Sequence, residues 1–150
     1  MDVATWNVLH DGRIVLADGI VPGDIWLSVE IAYLCGHLQT SATCLFVDLR
    51  GCVLFEYRPY NAAPVVDPRA VASLQLEILS AGLNSDFLSV ECADGSYGGQ
   101  LHVQYKVAET RTGEGQLLSQ AVLESAAEEY WAEWSERNNI VSDRARIQKK

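Results

Sequence analysis

The residues that could bind a metal or act as nucleophiles are three histidines and four cysteines: His10, His37, His102, Cys35, Cys44, Cys52 and Cys92. Cys35 and His37 come closest to a ligand pair, but a structural zinc site needs a second pair at similar spacing, which the sequence lacks. The cysteines lie in or beside apolar runs, where burial would raise the thiol pKa and make them unreactive. We therefore expect free thiols, with no catalytic, metal or cofactor-binding residues, and the pattern favours a protein that is not an enzyme.

Two carboxylates, Asp48 and Glu56, lie on strand-like runs close to Arg50 and Arg58. Paired carboxylates can perform acid–base chemistry, whereas partly buried carboxylates beside arginines usually form structural ion pairs. The nearby arginines favour the structural interpretation. The glycine-rich stretch 93–99 lacks the strand–loop–helix context that a phosphate-binding loop requires.

The most distinctive chemistry lies in an acidic, aromatic segment near the C-terminus. Two pairs of its glutamates repeat at i,i+4, and each like-charge pair costs a helix a few tenths of a kcal/mol. Tyr130, Trp131 and Trp134 lie among these acids, and Trp131 falls off the centre of the apolar stripe. Acidic charge around an aromatic anchor suits a basic protein partner. The predicted partner-binding residues are Glu124, Glu128, Glu129, Trp131, Glu133 and Glu136. The alternative is a solvated acidic face whose tryptophans pack on the sheet.

The charge distribution agrees with a basic partner and argues against others. The chain has 11 basic and 20 acidic residues, a net charge of −9, and residues 1–136 alone carry a net charge of −13. Such a body repels nucleic-acid phosphates and anionic lipids and attracts basic proteins. A requirement for solubility would account for the same acidity.

The length and hydropathy of the chain suggest its location and organisation. We find no apolar run of 18 residues and no basic segment before an apolar one, which predicts a cytoplasmic protein without a membrane span. A chain of 150 residues is typical of one domain. We expect a single domain over 1–137 and a basic, flexible tail over 138–150.

The first half of the chain has the patterns of antiparallel hairpins. Asp11-Gly12 predicts a tight turn between strands 4–10 and 13–18. Alternation then predicts a long strand over 25–33. A second hairpin over 44–58 would turn at Leu49–Gly51, and both of its faces are apolar, so we expect the C-terminal helix to cover it.

The second half adds further strands and the helix. Asp67-Pro68 favours a short helix over 68–73 before a strand over 74–81, although one helix over 68–81 remains open. Two more strands are predicted over 87–92 and 101–108. A helix over 114–137 has an apolar stripe that includes Leu118, Val122, Leu123, Ala126, Tyr130 and Trp134. The expected fold is α+β, mainly antiparallel hairpins of about eight strands, with an amphipathic C-terminal helix packed on the sheet.

Several turn and strand motifs resemble those of a group of small uncharacterised bacterial proteins. The resemblance covers residues 10 to 92 and is carried by His10-Asp11-Gly12, Val21-Pro22-Gly23-Asp24, Ile31-Ala32-Tyr33-Leu34 and Leu49-Arg50-Gly51-Cys52 with Phe55 and Tyr57. It implies a shared β-rich fold and brings no activity and no functional residue with it.

Three hypotheses for function follow. The first is a non-enzymatic, acidic protein-binding module, such as an immunity-type protein that neutralises a basic toxin. The second is a small-ligand-binding or enzymatic domain with a pocket in the curved sheet lined by Trp6, Trp26, Tyr33 and Tyr57. The third is a self-associating structural protein, because the sequence does not give the oligomeric state.

Overall fold

The computed structural model describes residues 1–148, and side chains through residue 138. In this part of the chain the helices are α1 Val3–Val8, α2 Ala32–His37, α3 Pro68–Ser73 and α4 Gln120–Gln148. The strands are β1 Arg13–Gly19, β2 Gly23–Glu30, β3 Cys44–Cys52, β4 Leu54–Pro59, β5 Glu77–Asn84, β6 Phe87–Ala93, β7 Gly99–Gln104, β8 Val107–Arg111 and β9 Leu117–Leu118. The predicted α+β class is confirmed.

All nine strands form one antiparallel sheet in the order β4-β7-β6-β5-β1-β2-β3-β8-β9. Only Val53 separates β3 from β4, and two residues separate β7 from β8. Hydrogen bonds continue across this joint, from Val53 N to Gln104 O and from Lys106 N to Arg50 O, both 2.9 Å. Because β3 pairs with β8 and β4 with β7, the chain connects the two ends of the strand order and the sheet curls round on itself.

The core fills the inside of this curled sheet. Side chains on a strand alternate between its two faces, so every second residue points inward. Ile25, Leu27 and Val29 of β2 follow this rule and are fully buried, as the sequence pattern predicts. Leu45, Val47 and Leu49 of β3 continue the same inner surface.

The N-terminal segment differs from the prediction. Residues 4–10 were expected as a strand but belong largely to α1, whose N-cap is Asp2, with its carboxylate accepting a 2.9 Å hydrogen bond from Ala4 N. The side chain of Trp6 on α1 is fully buried in the core of the curled sheet. Its Nε1 donates a 3.0 Å hydrogen bond to the Tyr105 hydroxyl. Asp11, with φ of 69°, then turns the chain into β1.

The predictions for the next two elements are corrected as well. The strand expected over 25–33 ends at Glu30, and Tyr33 lies on α2. The hairpin expected over 44–58 does not form, because β3 pairs with β2 and β8 while β4 pairs with β7. Gly51 does adopt the expected left-handed conformation, with φ of 64°, but it lies near the end of β3 and not in a hairpin loop.

The second half of the chain is closer to expectation, although the single strand expected over 101–108 is divided into β7 and β8, which pair with different strands. The short helix before a strand is confirmed, and Asp67 caps α3 by accepting from Arg69 N at 3.1 Å. The C-terminal helix was expected from Glu114 but begins at Gln120, because β9 comes first. Ser119 caps α4 by accepting from Val122 N at 3.2 Å.

Helix α4 packs on the sheet assembly mainly through α1 and α2. Leu123 and Ala126 join the buried core, whereas Val122 in the predicted stripe is 47% exposed. The helix was expected to cover the outer face of β3 and β4, but its neighbours are α1 and α2 instead. The basic tail was predicted over 138–150, and its side chains from 139 onward lie outside the described residues. Among residues 1–148, no helix combines the length and apolar character needed to cross a membrane.

Candidate functional site

The predicted glutamates occupy two flanks of α4. Residues at i, i+4 and i+7 share one side of a helix. The first flank is therefore formed by Glu129, Glu133 and Glu136, and the second by Glu124, Glu128 and Trp131. All five glutamates are exposed, and between the flanks runs the face that contacts the protein body.

A ladder of aromatic rings fixes the middle of α4 against α2. The Tyr33 ring stacks on Tyr130 with centroids 4.2 Å apart and an interplanar angle of 28°. Trp131 contacts Tyr33 edge-on at 6.0 Å and stacks on His10 at 5.9 Å. Such pairs contribute about 0.5–1.5 kcal/mol each beyond the area they bury. The predicted anchor Trp131 is thus half-buried, and part of its surface is committed to the fold.

Trp134 contacts the last of these aromatic rings and is itself exposed at the surface. Its ring lies 5.9 Å from Trp131, and the residue is 47% exposed. Helical spacing places Trp134 in the apolar stripe, which predicts burial, but nearly half of its surface is exposed. The more exposed aromatic group of the site is therefore one that was not among the predicted binding residues.

His37 is a second residue of the site that the sequence did not reveal. Its Nδ1 lies 3.4 Å from Glu129 Oε2, and its Nε2 lies 3.4 Å from Glu133 Oε2. The sequence indicates an ordinary loop histidine, and no local pattern links it to glutamates more than ninety residues away. These contacts hold the first acidic flank against α2.

Within residues 1–138, whose side chains are described, no arginine pairs with the five glutamates of α4. Arg137 is on α4 but pairs with none of them, and three other arginines pair with acids outside α4: Arg58 with Glu56 at 2.7 Å, Arg50 with Glu109 at 3.1 Å, and Arg69 with Asp18 at 3.1 Å. Asp48 pairs with Arg111 and not with the predicted Arg50. Both carboxylates therefore pair with arginines, as expected, with a different partner for Asp48.

The thiols and histidines of the described chain show no reactive arrangement. All four cysteines are free, and Cys35, Cys52 and Cys92 are buried. Burial raises the pKa of the Cys35 thiol to about 11 and that of Cys92 to about 12. Among the described residues, no cluster of three or more His, Cys, Asp or Glu is placed to hold a metal ion.

The four aromatic residues proposed to line a pocket do not converge. Trp6 and Tyr57 are fully buried in the packed interior, Trp26 lies on the outer face of the sheet, and Tyr33 packs against α4. A cleft of about 510 Å³ instead opens between α1, β8 and the start of α4. Its lining includes Thr5, Tyr105, Thr110 and Gln120.

Comparison with known proteins returns no match from family models, curated proteins or solved structures. The resemblance to a group of small bacterial proteins stays a prediction. The functional interpretation therefore depends on the geometry and charge of α4 and its neighbours.

Proposed function

We propose that α4 binds a basic protein and that the chain is a non-enzymatic, acidic binding module. One concrete form of this function is an immunity-type protein that neutralises a basic toxin domain. The observation that carries the proposal is an exposed Trp134 beside two rows of exposed glutamates that pair with no arginine among residues 1–138. A cytoplasmic location stays a prediction.

Two physical effects would act together at this surface. The net charge of −13 over residues 1–136 attracts a cationic partner, and at physiological salt this attraction extends over a Debye length of about 8 Å. An exposed tryptophan supplies contact area of the kind that dominates many interfaces, where truncating a hot-spot residue costs about 2 kcal/mol or more. Charge would speed the encounter, and the aromatic ring would hold the partner.

The two acidic flanks are not equally available. Glu129 and Glu133 already contact His37, so a cationic partner must compete with that imidazole for their carboxylates. Glu124 and Glu128, on the same side of α4 as Trp131, do not face His37. We therefore expect the flank formed by Glu124 and Glu128 to contribute most of the partner's specificity.

The test is capture of partners from the native host on immobilised wild-type protein, followed by calorimetry with the partner recovered. Glu128→Lys should weaken binding about tenfold or more, since it replaces an attractive charge by a repulsive one. Asp86→Lys is the matched control, because Asp86 is an exposed acid in the turn between β5 and β6. Trp134→Ala should also weaken binding, with little effect on thermal unfolding.

The proposal fails if no basic protein is recovered, or if Glu128→Lys and Asp86→Lys weaken binding equally. Equal effects would indicate non-specific attraction to the acidic body. The alternative of a small-ligand-binding or enzymatic domain has one supporting observation, the cleft beside Tyr105, and ligand-dependent protection of that cleft would favour it.

A further inference from the structure

A second exposed tryptophan lies on the opposite side of the sheet from the core. Trp26 of β2 is 39% exposed and is paired with Asp18 on β1 and Asp48 on β3. Two residues further along β2, Ser28 is paired with Leu16 on β1 and Phe46 on β3, so these three lie side by side on the same outer face. Leu16 is 54% exposed.

Three shallow depressions meet at the Trp26 side chain. Their volumes are about 350, 200 and 220 Å³, and Trp26 lines all three. The first extends over Leu16 towards α3, and the second extends past Phe46 towards the turn after β8. We call this surface, Leu16, Trp26 and Phe46 with the charged residues around them, the Trp26 face.

The charges around the Trp26 face are nearly balanced, unlike those of the rest of the chain, although Asp24 also borders the face and pairs with no arginine among the described residues. Residues 1–136 contain six basic residues, and three of them, Arg50, Arg69 and Arg111, border this face. Each pairs with an acid: Arg69 with Asp18, Arg111 with Asp48, and Arg50 with Glu109. Acids and bases therefore alternate around an apolar centre.

We propose that the Trp26 face is the interface between two copies of this chain. Two bodies that each carry a net charge of −13 over residues 1–136 repel one another, so association needs a surface whose charges cancel locally. A two-fold axis through this rim would set the ion pairs of one copy beside those of the other, so that opposite charges meet and no unpaired row of carboxylates faces another. Tryptophan and arginine are also the residues enriched at the centres of such interfaces.

The charge pattern favours a second copy over other occupants. The three arginines are engaged by carboxylates, which makes the face a poor site for a phosphate or a nucleic acid. A basic protein would find more unpaired negative charge on α4. This inference is independent of the proposed function of α4, which lies on a different surface.

The test is the mass of the full chain in solution, measured by sedimentation equilibrium from about 1 μM to 1 mM, a range that spans ordinary dimer affinities. The wild-type chain should reach the mass of two copies within this range. Trp26→Ala and Leu16→Glu should each shift the equilibrium to the single-copy mass at concentrations where the wild type is paired. Trp134→Ala, on the α4 surface, is the control and should leave the dimer unchanged.

A third variant guards against effects on folding. Arg69 has an exposed side chain on α3, so Arg69→Glu removes no core packing and should still weaken the dimer about tenfold or more. Fluorine NMR of the chain labelled with 5-fluorotryptophan should show a concentration-dependent shift for Trp26 and none for Trp134.

Three results would each overturn the proposal. They are a single-copy mass at every concentration, a dimer that survives both Trp26→Ala and Leu16→Glu, or a dimer abolished by Trp134→Ala. The first result would leave the face to a different partner, and the last would assign self-association to α4.

Discussion

The His37 imidazole lies between two carboxylates of α4, with Nδ1 3.4 Å from Glu129 and Nε2 3.4 Å from Glu133. His37 is the last residue of α2, and the two glutamates are one helical turn apart on α4. The edge of the Tyr130 ring packs on the same imidazole, with centroids 5.9 Å apart. These contacts hold the flank that contains Glu129 and Glu133 against α2.

Replacing His37 by alanine should loosen α4 without unfolding the sheet. Both glutamates are largely exposed and both contacts are 3.4 Å long, so they contribute little, and the expected loss is about 0.5–1 kcal/mol. Hydrogen exchange should report it as faster exchange of amides near residues 129–133, with β2 and β3 unchanged. Glu128→Gln, on the other flank, is the control and should not alter exchange. Unchanged exchange in His37→Ala would contradict the structural role given to these contacts.

Two adjacent residues of α4 should respond very differently to truncation. Leu123 is 2% exposed and belongs to the core, whereas Val122 is 47% exposed. Leu123→Ala should therefore cost about 2–4 kcal/mol, and Val122→Ala less than about 0.5 kcal/mol. Urea denaturation of both variants would measure the difference. Similar losses at the two positions would mean that α4 is rotated from the orientation described.

Local patterns predicted the elements that depend on local chemistry. The alternation of Ile25, Leu27 and Val29 identified the inner face of β2, and Asp67-Pro68 identified the start of α3. The alternation around Trp6 predicted a strand where the structure has α1. It covers too few residues to distinguish a strand from one face of a short helix.

Pairings between distant segments could not be predicted in this way. Val53 lies between β3, the seventh strand in the order, and β4, the first, and nothing in the surrounding pattern distinguishes this connection from a hairpin turn. The contacts of His37 with α4 also arise only after the chain has folded. The acidic residues of the candidate site were visible in the sequence, but their division into two flanks and the exposure of Trp134 required the structure.

Glu114 should titrate well below an ordinary glutamate. The hydroxyl groups of Thr40 and Ser41 donate to its carboxylate at 2.8 and 3.0 Å, and they lower its pKa from the usual 4.5 to about 2. The folded state then binds this proton more weakly than the unfolded chain does. The contribution of Glu114 to stability is therefore complete above pH 4.5 and is lost as the pH falls towards 2.

Carboxyl ¹³C NMR would measure this pKa directly. In the variant Thr40→Val with Ser41→Ala, the midpoint for Glu114 should move up towards 4.5. A wild-type midpoint already near 4.5 would show that the two hydroxyl contacts do not persist in solution.

Asp94 should be the most sensitive polar residue of the β6–β7 loop. Its Oδ1 accepts hydrogen bonds from the amides of Ser96, Tyr97 and Gly98 at 3.0, 3.2 and 3.2 Å, and its Oδ2 accepts from the Tyr57 hydroxyl at 2.9 Å. Because Tyr57 is fully buried, loss of the carboxylate leaves its hydroxyl without this acceptor. Asp94→Ala should therefore destabilise the fold by about 2–3 kcal/mol, measured by urea denaturation.

The variant Tyr57→Phe separates the contact of Asp94 with the Tyr57 hydroxyl from its contacts with the loop amides. It removes the buried hydroxyl together with its need for an acceptor, so its cost should be only about 1 kcal/mol. In the Tyr57→Phe background, Asp94→Ala should then cost less than in the wild type, since only the loop amides lose their acceptor. The amide of Ser96 and the Tyr57 hydroxyl also lower the pKa of Asp94 from its usual 3.8, so its stabilising effect should disappear as the pH falls below that value. Equal costs in the two backgrounds would mean that Tyr57 and Asp94 act independently and that the loop is held by the backbone amides alone.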